Sequence, residues 1–193
     1  VSTEQSTEQA ATSAPPRRLA ILIGVALLAL ALDVTSKVLV VANLEGKDPV
    51  TVLRGVLYFD VSRNSGAAFS MATGMTWVFS LVAAGVAVAI IWVAPRLRSV
   101  GWAIGLGLVL AGALGNLADR IFRAPGPLRG HVVDFISVFR PWGGAFAIFN
   151  LADSSITVGA VVIVLMAMLG KDYDGGIARR VKLAEAGQPE PTE

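Results

Sequence analysis

The chain has 193 residues, of which 54% are hydrophobic and 16% charged, with a mean hydropathy of +0.67; an average soluble domain carries about 25% charged residues, so the long apolar runs point to a bilayer as solvent. A net charge of +2, with no basic cluster interleaved with aromatics, gives no sign of a nucleic-acid partner. Cysteine is absent and His131 is the single histidine, which removes disulfides, thiol nucleophiles and the usual zinc ligand sets; neither a metal nor another cofactor is expected.

Val1 to Arg18 are mostly Ser, Thr, Glu, Gln, Ala and Pro and read as a disordered tail, too poor in bulky apolar groups to offset the entropy of ordering. Leu19 to Leu32 is uncharged but short of the roughly 20 residues a span needs, so the first span continues through Asp33 and Lys37 to Val41. Arg17, Arg18 and Ala29-Leu30-Ala31 also fit a secretory signal peptide; the later spans favour an uncleaved anchor. Those spans are Trp77 to Ala94, Val100 to about Ile121 and about Phe146 to Leu169. The domain thus runs over 19–170, and 171–193 form a polar C-terminal tail. Gly101 and Gly105, then Ala111 and Gly115, carry the small-residue spacing that lets helix backbones approach closely, read here as packing within the chain.

Four spans put both tails on one side with the Pro95 to Ser99 turn. The 16 Lys and Arg then divide equally between the two sides, and only Arg96 and Arg98, crowded into a very short turn, favour that face as cytoplasmic. The opposite face holds two longer segments, Ala42 to Thr76 and Phe122 to about Ala145. Val50 to Leu53 and Val56 to Val61 are β-branched and aromatic runs that predict short strands, closed by the Asn64-Ser65-Gly66 turn signal. Trp77, Trp102 and Trp142 fall near span ends, where indoles anchor at headgroups.

Charged and amide groups at or inside the spans are costly in lipid and therefore informative. Asp33 and Lys37 are four apart, acid first, which predicts a neutralising pair on one helix face. Asn116, Asp119 and Arg120 follow helical spacing, so Asn116 and Arg120 project together, with snorkelling of Arg120 to headgroups the competing reading. Asn150 and Asp153 share a face at the start of the last helix. Asp134, in an extended or looped segment, has enough chain behind it to fold back over that helix start. Two such carboxyls at close range would hold one proton between them and supply a general acid and a general base. Equally, Asp134 could be a surface loop residue and Asp153 an acid placed by the helix dipole. His131 with Ser137 or Ser154 lacks the strained nucleophile turn of a serine hydrolase.

Five motifs in order resemble the bacterial lipoprotein signal peptidase (signal peptidase II) family over about residues 19 to 170. They are Asp33-Val34-Thr35-Ser36-Lys37, Asn64-Ser65-Gly66-Ala67-Ala68-Phe69, Gly115-Asn116-Leu117-Ala118-Asp119-Arg120, Val132-Val133-Asp134-Phe135 and Phe149-Asn150-Leu151-Ala152-Asp153-Ser154. The resemblance implies a membrane all-α four-transmembrane-helix bundle with a small extracytoplasmic β-cradle, about 43–70, and a short surface helix. It implies an aspartic endopeptidase of the bacterial inner membrane, acting on diacylglyceryl-modified prolipoproteins just before the lipidated cysteine, with both termini cytoplasmic and the active site near the outer leaflet. Asp134 and Asp153 would be the catalytic dyad. Asn64, Gly66, Asn116, Arg120, Asn150 and Ala152 would line the substrate groove, and Asp33, Lys37 and Asp119 would hold the bundle together. Expected partners are prolipoprotein substrates and membrane lipids, with no nucleic acid, and the expected state is a monomer. A small transporter or proton-conducting membrane protein is the alternative, since intramembrane Asp, Asn and Arg also build ion paths.

Overall fold

Four helices carry the apolar runs: α1 (Leu19–Leu44), α2 (Thr76–Val93), α3 (Val100–Phe122) and α4 (Leu151–Met168). All four are long and apolar enough to cross a membrane. A computed structural model describes residues 16–66 and 76–175; residues 1–15 of the predicted N-terminal tail, Ala67, Ala68 and Phe69 of the second motif, and 176–193 lie outside the described residues. The first span is longer than Leu19–Val41, reaching Leu44, and no break occurs at Asp33.

The helices turn their bulky side chains outward. Leu27, Leu28, Val88 and Trp92 are all more than 60% exposed, the distribution of a protein whose solvent is as apolar as its leucines. In α1 the buried positions are Leu22, Ala26, Asp33 and Lys37, one helical stripe that is apolar at one end and ionic at the other. Central in the bundle is α3, which packs against α1, α2 and α4. Its small residues allow this. A Cβ on Gly112 would collide with the Ala152 carbonyl, and one on Gly115 with the Asp33 carboxylate, while Gly105 meets the Gly159 carbonyl of α4. The small-residue spacing therefore serves contacts within the chain.

A three-stranded antiparallel sheet, in order β1 (Val50–Val52), β2 (Leu57–Asn64) and β3 (Val132–Val138), caps one end of the bundle. The third strand joins the two segments expected on the outer face. Val132 to Val138 is buried on both faces over most of its length, so it lacks the alternating pattern that betrays a half-buried strand. Between Phe59 and Ser62 the register with β3 shifts, and the bulge carries Asp60 inward. There its carboxylate accepts from Ser137 Oγ at 3.1 Å and from the Trp142 backbone N–H at 2.5 Å.

The fourth span begins later than the apolar run: Phe146 to Asn150 is not helical, and Phe149 bridges to Ile136 of β3. Apolar composition fits either state, and the N-cap at Asn150 decides it. Outside the spans, the described helical segments are three-residue 3-10 turns at Leu53–Gly55, Ala94–Arg96 and Pro141–Gly143; a longer surface helix is not among the described residues. Of the C-terminal tail, Tyr173 is tied to the α2–α3 turn, its carbonyl accepting from the backbone N–H groups of Arg98 and Ser99.

Candidate active site

Where the sheet meets the bundle, β2 and β3 bring Asn64 and Asp134 together. Ser62 pairs with Asp134 and Asn64 with Val132, so Asn64 and Asp134 are diagonal neighbours on one sheet face. Asn64 Nδ2 donates to Asp134 Oδ2 at 2.8 Å. The Gly66 backbone N–H donates to Asn64 Oδ1 at 2.9 Å, which leaves only the amide nitrogen to face the carboxylate.

Asp153 arrives from α4 by helix capping. Asn150 Oδ1 accepts from the Asp153 backbone N–H at 3.0 Å, and Asp153 Oδ2 accepts from the Asn150 backbone N–H at 3.2 Å. This reciprocal box satisfies two orphan donors of the helix start. Asn150 Nδ2 then donates to Asp134 Oδ1 at 2.6 Å. One fully buried asparagine thus holds both carboxyls, with Asp153 placed in the first turn of α4. Asn116 of α3 completes the set, its Nδ2 donating to Asp153 Oδ1 at 2.8 Å.

Both carboxyls border a cavity of about 640 Å³, lined also by Asn64, Gly66, Asn116 and Arg120. Its walls are otherwise mainly apolar, including Phe146, Ile148, Ile156 and Val158. Burial, reinforced by the Asp153 charge, pushes the Asp134 carboxyl up from 3.8 to about 7, against the opposing hydrogen bonds from Asn64 and Asn150. A carboxyl so placed keeps its proton near neutrality.

Arg120 does not snorkel. It is 8% exposed, donates to the Asn116 carbonyl at 3.3 Å and lies 5.8 Å from the Phe79 ring centroid. Its buried Nε has no hydrogen-bond partner among the described residues, and the residue lines the cavity beside both carboxyls. Two residues expected in the groove lining sit behind it instead. Asn150 is fully buried, and Ala152, 0% exposed, packs in the α3–α4 interface with its backbone N–H on Asp33 Oδ1 at 2.9 Å. Both are needed where α4 starts, so their side chains face protein.

Asp33, Lys37 and Asp119 form one ionic cluster: Lys37 Nζ lies 2.9 Å from Asp33 Oδ2 and 3.0 Å from Asp119 Oδ2. Asp119 also pairs with Arg123 and accepts from the Val133 backbone N–H at 3.2 Å. The Arg123 pairing has the i, i+4 spacing of a helical ion pair. The two serines considered beside His131 are engaged elsewhere: Ser137 Oγ donates to Asp60, and Ser154 Oγ donates to the Asn150 carbonyl.

A family model described as signal peptidase (SPase) II matches residues 25–169. The chain is 52% identical over 168 residues to a lipoprotein signal peptidase of Mycobacterium avium (strain 104), covering 87% of this chain and 89% of the relative. To the lipoprotein signal peptidase of Mycobacterium tuberculosis (strain ATCC 25618 / H37Rv) it is 52% identical over 161 residues, 83% of this chain and 77% of that one. A solved bacterial membrane enzyme structure, determined by the in meso method at 1.9 Å, superposes with a TM-score of 0.68 at 28% identity, covering 82% of this chain and 98% of that chain.

Proposed function

Given that the chain belongs to the signal peptidase II family and is an integral membrane peptidase that processes lipoproteins, we propose that Asp134 and Asp153 are the catalytic pair of an aspartic endopeptidase. The substrate is a diacylglyceryl-modified prolipoprotein, cut on the N-terminal side of the lipidated cysteine. The reading is carried by one observation: two carboxyls from distant segments border a single cavity, held by the same asparagine.

In the working state Asp134 carries the proton and Asp153 is a carboxylate. Asp153 takes a proton from a water, the oxygen attacks the scissile carbonyl carbon, and Asp134 delivers its proton to the carbonyl oxygen. Collapse of the tetrahedral intermediate breaks the C–N bond. The proton held by Asp153 goes to the leaving amine, and Asp134 recovers its own from the hydroxyl of the intermediate, so no protein group is consumed. Arg120 and the asparagine amides provide donors where negative charge develops.

The apolar wall running along α4 to Val158, 52% exposed, leaves room for a chain that remains partly in lipid. Anchoring by the acyl groups then supplies positioning at the scissile amide. In this orientation both termini and the Arg96–Arg98 turn face the cytoplasm of the bacterial cell, and the cavity opens near the outer leaflet of the inner membrane. The protein acts as a monomer. The test is cleavage of a lipobox precursor by the purified protein, with and without diacylglyceryl on the cysteine and with and without a chelator. Lipid-dependent, chelator-resistant cleavage is expected; equal cleavage of both precursors, or loss on chelation, contradicts the proposal.

A further inference from the structure

Three asparagine amides face the two carboxyls, and an amide can serve a carboxylate only with its nitrogen forward. In two of them the backbone fixes that orientation: Gly66 N–H holds Asn64 Oδ1, and Asp153 N–H holds Asn150 Oδ1. Asn116 has no backbone donor of this kind among its described bonds. Its Oδ1 accepts instead from Lys37 Nζ at 3.1 Å and from Asn150 Nδ2 at 3.2 Å. An ammonium has three donors and no acceptor, and Lys37 is itself pinned between Asp33 and Asp119 with 1% exposure. Reversing Asn116 would turn its NH2 toward an ammonium and its carbonyl toward a carboxylate, two repulsive contacts in a region sheltered from water.

We infer that Lys37 is a positioning residue for the peptidase reaction: through Asn116 it fixes the amide polarity that presents a donor to Asp153 and so keeps Asp153 the base of the pair. This rests on the assignment of Asp134 and Asp153 as the catalytic groups. The role differs from neutralising Asp33, because Asp119 retains Arg123 and a merely structural ion cluster has no need of a bond to Asn116. The charged groups facing the pair are Arg120 on α3 beside the carboxyls and, behind Asn116, Lys37 with Asp33 on α1 and Asp119 on α3; the nearby α2 side chain at the site, Phe79, is uncharged.

The test uses the full chain in bilayers with a diacylglyceryl-modified precursor. The charge-balanced variant Lys37→Met with Asp33→Asn removes one charge of each sign, and Asn116→Ala removes the amide itself. Each should lower kcat at least roughly tenfold, less than the roughly hundredfold or more expected of a group that itself transfers the proton, with KM changed less than about threefold. Each should also move the acid limb of the kcat profile upward by about one pH unit, as expected when a donor to a carboxylate is lost. The two changes combined should add little beyond either alone, because they act through one interaction. An unmoved acid limb, additive losses, or an effect confined to KM overturns the inference. Should the charge-balanced variant not fold, magic-angle-spinning NMR on the unmutated protein decides. Asn116 NH2 protons correlating with Asp153 Cγ, and Lys37 Nζ protons with Asn116 Cγ, support it; the reverse amide orientation overturns it. Wild-type cleavage by Asp134→Asn and Asp153→Asn would instead bring down the catalytic assignment, so the two failures are distinct.

Discussion

At Asp134, burial and the neighbouring Asp153 act in the same direction, and the carboxyl stays protonated up to about pH 7. An unfolded chain gives up that proton near the ordinary value of 3.8. Between these limits the folded state binds more protons, so stability falls as pH rises from about 4 to about 7 and levels off above. The separation corresponds to about 4 kcal/mol before relaxation of the site. Thermal unfolding in detergent should therefore show Tm decreasing across this interval, and Asp134→Asn should flatten that dependence. A wild-type Tm that rises over the same interval would contradict it. The Asp33–Lys37 ion pair was legible because its i, i+4 helical spacing announces it. Asp60 was not: a lone acid in a strand has no periodic partner, and its hydrogen-bonding residues Ser137 and Trp142 lie 77 and 82 positions away.

The element on which the geometry turns is the start of α4. Its capping box aims Asp153, while Gly112 lets α3 come close enough for Asn116 to reach it. Gly112→Ala drives a Cβ into the Ala152 carbonyl, where backbone cannot step aside, and should cost about 1–3 kcal/mol with a loss of turnover exceeding the loss of folded protein. Gly85→Ala on α2, with open space around it, should leave turnover intact and be neutral or stabilising by up to about 1 kcal/mol. Paired thermal-shift and cleavage measurements check both; an equal response of the two variants contradicts the close-approach role. The number and order of spans could be read from the runs of apolar residues. Their ends could not always be: Phe146 to Asn150 is as apolar as a helix, yet its backbone bridges to β3. The third strand was concealed because burial on both faces erases alternation.

Around the site and the ionic cluster behind it the charges come close to cancelling. Lys37, Arg120 and Arg123 stand against Asp33, Asp119 and a pair, Asp134 with Asp153, that carries one net negative charge when it shares a proton. Such balance suits a site in a low-dielectric surround, where an isolated ion is expensive. It also disfavours an ion path: α2 and the rest of α4 beyond Asp153 contain no Asp, Glu, Lys, Arg or His, so no chain of ionisable groups runs the length of these helices. The orientation is open to direct measurement because the chain has no cysteine. In spheroplasts a membrane-impermeant maleimide should label Arg129→Cys and spare Lys171→Cys; the reverse pattern contradicts cytoplasmic tails. The site's five motifs were readable together, but which carboxyls meet was a matter of long-range packing that spacing left undecided. Central to everything is the proposed catalytic partnership of Asp134 and Asp153, and single-turnover cleavage of a diacylglyceryl-modified precursor by Asp134→Asn and Asp153→Asn proteins with wild-type Tm tests it most directly. Each variant should lose at least about a hundredfold in rate, the lower range for general acid–base groups; wild-type turnover by either one would contradict the mechanism.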